Sequence, residues 1–353
     1  MGKETRTTAP KSRNRLTATL LIIVIVSWCV SGYLGYQLMN APINAPVSSV
    51  AKKLRFAGMT DSTKDDGGWG QAHYQIQQRL ASKFNMDAVF NESVAWTDIE
   101  TFYRNHAQQG YDIVGWWGFQ GAEAAAKAGK EYPSKQFFFT CVQENGNNTF
   151  SFVYEEEQAG FLSGILAGLT TKTNKVGVYA GTNMPCANAY ANAFELGVHL
   201  TNPNATVLKA YAGSWTDPSK GKQTALTMIN NGADFIAKYS NLADNGGMEA
   251  CKENNISTTG IYIDQAFMAP NQTLVSILWQ TDAVASQLIT NAIAGQPPIG
   301  AQMPVGFENG GFSVKYDPAY NNLSQKARTT FESWVSKVQI GMYKVPRVET
   351  PIY

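Results

Sequence analysis

At 353 residues the chain is long enough for two domains of ordinary size, each with its own core. Charged residues make up 16% and the net charge is +1, which excludes the strong field of a protein that grips nucleic acid or another polyanion. Hydrophobic residues at 44%, with an aromatic share of 12%, exclude a disordered chain.

The N-terminus stands apart from the rest. Lys3, Arg6, Lys11, Arg13 and Arg15 precede an uncharged apolar run from Leu16 to Met39, roughly 36 Å long as a helix and enough to cross a bilayer. The basic flank of residues 1–15 is expected to stay in the cytoplasm, 16–39 to form a retained transmembrane anchor, and NAPINAPVSSVAK (40–52) to be an extended tether. A lipoprotein processed at Cys29 is the competing reading; Trp28 is a poor fit where a small residue should precede such a cysteine. Either way the remainder faces outside, where six N-x-[ST] sequons, at Asn91, Asn147, Asn204, Asn255, Asn271 and Asn322, are compatible with glycosylation.

From Leu54 onward, short apolar runs alternate with helical patterns. LRFAGMT (54–60) reads as a strand, and from Trp69 the spacing Ala72, Ile76, Leu80, Phe84 makes one apolar stripe of a helix. Strands at 86–91, 111–117 and 135–140 then alternate with helices at 98–109 and 120–130. The helix EEEQAGFLSGILAGLTT opens a second series: strands at 175–180, 205–211, 233–239 and 257–263 with helices at 188–200, 219–231 and 246–254. A strand at 274–280, a helix at 282–294, short strands near MPVGF and GFSVKY, and a helix at 323–339 complete the chain. Such βα alternation predicts an α/β protein with two doubly wound, parallel-sheet lobes.

Ligands of such sheets bind outside the carboxyl ends of the strands. Trp69, Trp96, Trp116, Trp117, Trp215 and Trp279 all fall at or just after a predicted strand end, where aromatic side chains supply flat walls for a ring-shaped ligand. Packing between lobes is the plainer alternative. In the first strand-to-helix loop, DDGGWGQ, the plain reading makes one of Asp65 and Asp66 a helix cap and Trp69 a core plug, the functional reading has a carboxylate accept hydrogen bonds from a ligand ring that stacks on Trp69, and the two are compatible with one Asp in each role.

Catalytic and metal signatures are sparse. The sequence contains no G-x-S-x-G, P-loop or G-x-G-x-x-G, and His73, His106 and His199 fall on predicted helices as surface or capping residues. Outside the anchor, Cys141, Cys186 and Cys251 lack zinc-ligand spacing. They are expected to be buried thiols, with a single bridge, such as Cys186 to Cys251, left open.

The segments DDGGWGQAHYQ, QQGYDIVGWWGFQGAEAAAKAGKEYP, EEEQAGFLSGILAGLTTKTNKVGVYAG, ANAFELGVHLTNPNATV, GSWTDPSKGKQTALTMINNGADFIA and GIYIDQ resemble, in order, the basic membrane protein family of ABC-transporter substrate-binding lipoproteins, which includes the purine-nucleoside receptors. The resemblance covers about residues 54 to 345 and implies a type I periplasmic-binding-protein fold, two lobes joined by a multi-strand hinge with ligand held between them. Residues 53–145 plus 265–310 are expected to form the N-terminal lobe, and 146–264 plus 311–345 the C-terminal lobe. Carried over by position, the first-loop carboxylate and stacking aromatic fall on Asp65 or Asp66 and Trp69. Gly70 stands where an Asn often follows the aromatic. The aromatic-Gly stretch falls on Trp117, Gly118 and Phe119, the SW-x-DP loop on Ser214, Trp215, Asp217 and Pro218, and the hinge carboxylate that grips ribose hydroxyls on Asp264. Where many members carry a Lys, this chain has Trp279.

What this implies is an extracytoplasmic binding protein that takes a purine base or nucleoside and delivers it to ABC permease subunits. A monomer is expected, with no cofactor, no metal and no nucleic-acid partner. A membrane-anchored sensor or a sugar-binding protein is the alternative, and a nucleoside-processing enzyme is the rival class.

Overall fold

The computed structural model describes residues 53–141, 148–293 and 302–353. The expected tail, anchor, Cys29 and tether of residues 1–52, and the sequon at Asn147, lie outside the described residues. Among the described residues no helix is long and apolar enough to cross a membrane.

The first series runs β1 (Arg55–Met59), α1 (Trp69–Lys83), β2 (Asp87–Asn91), α2 (Ile99–Gln108), β3 (Ile113–Trp116), α3 (Ala122–Glu131), β4 (Gln136–Thr140) and β5 (Thr149–Tyr154). The second runs α4 (Glu156–Thr170), β6 (Lys175–Ala180), α5 (Pro185–Thr201), β7 (Thr206–Tyr211), α6 (Pro218–Asn230), β8 (Phe235–Tyr239), α7 (Ala243–Asn254), β9 (Ser257–Tyr262) and β10 (Thr273–Trp279). Then come α8 (Thr281–Ile293), β11 (Gln302–Val305), β12 (Phe312–Tyr316) and α9 (Gln325–Gln339).

Two six-stranded sheets result, in the orders β11-β5-β4-β3-β1-β2 and β12-β10-β9-β8-β6-β7. The first is parallel throughout; in the second, β12 runs antiparallel to β10. The chain changes sheet three times, between Tyr154 and Glu156, between Trp279 and Thr281, and between Val305 and Phe312. These crossings are the multi-strand hinge.

The lobe boundaries differ from those expected. Strand β5 was not anticipated, yet TFSFVY, which alternates Thr149, Phe150, Ser151 and Phe152 and is buried along nearly its whole length, belongs to the first sheet. The first lobe therefore runs on to Tyr154 rather than ending at 145. Strand β10 pairs with β9 and β12, so residues up to Trp279 stay with the second sheet, and the segment that returns to the first lobe starts at α8 rather than at 265. Pairing partner decides membership, and a lone strand's sequence does not name its partner.

Strand register aligns the loops that matter. Met59 lies opposite both Asn91 and Trp116, so the loops after β1, β2 and β3 leave one edge of the first sheet together. Ala180 lies opposite Tyr211 and Tyr239, which does the same for β6, β7 and β8. A continuous core joins the lobes through Phe138, Phe152, Tyr154, Tyr239, Tyr262 and Phe312. The C-terminal segment returns to the first crossing, where Arg347 Nη1 donates to the Tyr154 carbonyl at 3.0 Å, Glu156 at 2.9 Å and Glu157 at 2.7 Å. Burial pushes the Glu156 carboxyl up to about 7, against the pull of Arg347.

Candidate functional site

The facing strand ends enclose a cleft lined from the first lobe by Asp61, Trp69, Trp96, Trp117, Phe119 and Gln120, with Cys141 behind them. The second lobe contributes Cys186, Trp215, Tyr239, Asn241 and Tyr262. The cleft encloses about 500 Å³. That lies within the roughly 300–1,000 Å³ of small-molecule sites.

Trp69 opens α1 and is held on every side. Its indole N–H donates to the Trp117 carbonyl at 2.9 Å, and its ring meets those of Tyr154, Tyr262 and Trp279 edge-on. His73 lies one helical turn on, tilted against Trp69 at 4.3 Å between centroids. A carbonyl can only accept, so His73 Nδ1 carries the proton donated to the Trp69 oxygen at 2.8 Å; Nε2 then accepts from the Tyr154 hydroxyl at 2.8 Å, and Tyr154 in turn pairs with Thr281 at 3.1 Å. The chain of bonds ties Trp69 to two of the three crossings. Trp215, half-buried on the opposite lobe, is fixed by donation from Nε1 to Thr182 Oγ1 at 2.9 Å.

The two lobes are latched across the first loop. Asn241 Oδ1 accepts from the Trp69 backbone N–H at 3.1 Å, and its Nδ2 donates to Ser62 Oγ at 2.9 Å. Asn245 Nδ2 donates to the Asp66 carbonyl and Gln265 Nε2 to the Gly67 carbonyl, both at 2.8 Å.

Of the residues expected from the sequence, Trp69, Trp117, Phe119 and Trp215 meet at the cleft, and four others do not line it. Asp66 is buried as the cap of α1, accepting from the backbone N–H groups of Gly68, Gly70 and Gln71 at 2.8, 2.9 and 3.0 Å. Asp65 is exposed to solvent. The carboxylate that does reach the cleft is Asp61, whose Oδ2 accepts from the Trp96 indole at 2.8 Å. It sits two residues past β1 in an unremarkable T-D-S-T stretch, which gave the sequence reading no signal. Asp264 turns outward to Lys315 at 2.6 Å. Trp279 is 2% exposed, packed on Tyr154 at 4.0 Å and Phe312 at 5.4 Å, so it buttresses Trp69 from behind instead of walling the cleft. Gly70 has no room for the family's amide, since a Cβ there would lie 2.2 Å from the Thr63 carbonyl.

Two of the three histidines differ from expectation, whereas His199 is exposed and the cysteines are free thiols as expected, Cys186 and Cys251 buried and Cys141 half-buried. His73 is fully buried and His106 nearly so, each donating to the carbonyl four residues earlier in its helix. All three described cysteines are free thiols, and Cys251 packs in a separate cluster from Cys186. Among the described residues no group of three or more His, Cys, Asp or Glu could hold a metal ion. Asn91 spends its amide N–H on the Gly58 carbonyl at 3.2 Å, leaving Asn204, Asn255, Asn271 and Asn322 as the exposed described sequons.

Burial lowers the His73 pKa from 6.5 to about 3. A folded-state value below the unfolded one means that its contribution is fully present above pH 6.5 and is lost as pH falls from there towards 3, by roughly 4–5 kcal/mol in all. Glu156, pushed up to about 7, and Asp244, pushed up to about 6 by burial, act with the opposite sign. The clean readout is therefore a difference. Urea unfolding of wild type and His73→Gln at pH 7 and pH 4 should show the wild-type advantage shrinking by several kcal/mol; a difference independent of pH would mean that His73 is not held neutral.

Two sheet lobes joined by three crossings, with an aromatic cleft at their strand ends, define a two-lobed small-molecule binding protein. The family model described as Bmp, ABC transporter substrate-binding protein PnrA-like, matches residues 53–346, and the chain belongs to that family. Among relatives, the chain is 25% identical to the CD4+ T-cell-stimulating antigen of Listeria monocytogenes over 95% of this chain and 99% of that protein. It is 24% identical to the ABC transporter nucleoside-binding protein BmpA of Lactococcus lactis over 79% and 87% of the two chains. A solute-binding protein of an ABC transporter system from Aeropyrum pernix superposes with a TM-score of 0.72 at 19% identity, covering 84% of this chain and 94% of that one. The type I periplasmic-binding-protein-like fold expected from the sequence is thereby shown.

Proposed function

We propose that this substrate-binding protein holds a purine nucleobase or nucleoside in the cleft, outside the cytoplasm, and delivers it unaltered to an ABC permease, with residues 16–39 as its membrane anchor. The observation that carries this reading is the opposition of Trp69, Trp117 and Phe119 on one lobe to Trp215, Tyr239 and Tyr262 on the other, with Asp61, Gln120 and Asn241 as the polar minority. Flat apolar walls take the ring faces, while a carboxylate and two amides suit ring N–H, amino and carbonyl edges. The nucleoside-binding relative from Lactococcus supports the choice of ligand class.

Thermal-shift screening of purines, pyrimidines, nucleosides, glucose and amino acids tests it. A ligand at about 100 times its dissociation constant adds roughly 2.7 kcal/mol of stability. Stabilisation by purines with no product on chromatography is the expected result; stabilisation by glucose alone, or cleavage of a nucleoside, overturns it. Intact mass of the native protein tests the anchor, since a chain beginning at Cys29 would exclude it.

The diversion of Asp264 to Lys315 favours a free base. Calorimetric titration should show adenine, guanine or hypoxanthine binding at least as tightly as the corresponding nucleoside. Nucleosides tighter by tenfold than every base would show that the ribose is recognised after all.

A further inference from the structure

Residues 347–353 lie beyond the stretch that the family model matches, yet they are bonded to the rest of the protein almost residue by residue. Arg347 meets the first crossing from both sides. Its Nη1 donates to the carbonyl of Tyr154, the last residue of β5 in the first sheet, and to the carboxylates of Glu156 and Glu157, which open α4 in the second lobe. Further on, the Asn192 amide of α5 donates to the Val348 and Thr350 carbonyls at 3.0 and 2.9 Å, and that of Asn188 donates to the Glu349 carbonyl at 2.8 Å. The Ile352 N–H donates to the Tyr211 hydroxyl at 3.2 Å, and the Ile352 side chain is buried. All of these outer anchors, on α5 and at the end of β7, belong to the second lobe.

We propose that residues 347–353 are a strap that braces the hinge, with Arg347 a positioning residue that holds the cleft closed. Lobes that part must turn β5 against α4 at the single residue between them, Glu155. The strap fixes Arg347 to the second lobe, and Glu156 and Glu157 move with it, so the bond that parting breaks is the one to the Tyr154 carbonyl. That bond is charge-assisted, and stronger than one between neutral groups. Arg347 touches nothing that lines the cleft; it acts on the cleft through the crossing. The latch between Asn241 and the first loop is the other contact that parting breaks, so the strap and the latch favour the same closed arrangement from opposite sides of the hinge. This inference rests on the fold alone and not on the choice of ligand.

Residue-resolved hydrogen exchange on the full chain, without ligand, tests it. Two amides in the first turn of α1 make the comparison: helix geometry gives neither a partner within the helix. The Trp69 N–H is held across the cleft by Asn241, whereas the Gly70 N–H is held within its own lobe by Asp66 at 2.9 Å. Parting of the lobes frees the first and leaves the second. Arg347→Met should raise exchange at Trp69 by roughly tenfold or more, the range of a lost hydrogen bond to a charged group, with Gly70 unchanged. Ile352→Ser, which loosens the far end of the strap and leaves Arg347 and its three acceptors in place, should do the same in smaller measure, and it decides the matter if Arg347→Met does not fold. Exchange at Trp69 that stays at the wild-type rate, or that rises together with Gly70, would show that the strap adds stability alone and overturn the brace.

Discussion

Replacing Trp69 by alanine is expected to weaken ligand binding by roughly 5- to 150-fold, the equivalent of about 1–3 kcal/mol for a base stacked on an aromatic side chain. The same change should lower fold stability by about 3–5 kcal/mol, because the indole is only 9% exposed and wedged among His73, Tyr154, Tyr262 and Trp279. Trp215→Ala makes the informative partner. Trp215 is half-buried, with a single hydrogen bond to Thr182, so its loss should match Trp69→Ala in affinity and fall well short of it in stability. Titration calorimetry with the purine that gives the largest thermal shift, paired with urea melts, separates the two effects. Wild-type affinity in both folded variants would make these residues packing alone.

The second large effect lies where α4 crosses α5. A Cβ on Gly160 would sit 2.0 Å from the Tyr190 carbonyl oxygen, and one on Gly164 2.0 Å from that of Phe194; from the other side, a Cβ on Gly197 would lie 2.2 Å from the Phe161 carbonyl. Each clash is with backbone, which cannot rotate away. Gly164→Ala should therefore cost about 1–3 kcal/mol net, although alanine is intrinsically better in a helix by about 1 kcal/mol. Gly164→Leu should exceed about 4 kcal/mol and leave little folded protein. Thermal melts of the two variants check the order. Neutral behaviour of both would mean that the helices stand further apart than this packing requires.

Much of this was legible because the sequence carries local signals. The period of Ala72, Ile76 and Leu80 announces α1, and the tryptophans after predicted strands announce a cleft. Other features had no local signature. TFSFVY carries the chain to its first crossing, and nothing in those six residues names the sheet that pairs with it. Asp61 is one aspartate among several near the first loop, and only the alignment of β1 with β2 and β3 turns it inward while Asp66 is used up on three backbone N–H groups.

By itself, then, the sequence determined the α/β class, the order of the elements other than β5 and the aromatic residues at the strand ends, which follow from periodicity and residue type along the chain, while the family followed from the resemblance of whole segments. Tertiary structure alone decided which sheet received β5 and β10, which carboxylate faced the cleft, and that Trp279 stood behind Trp69. Those outcomes depend on contacts between residues far apart in the chain, and such contacts exist only once the three crossings have brought the lobes face to face.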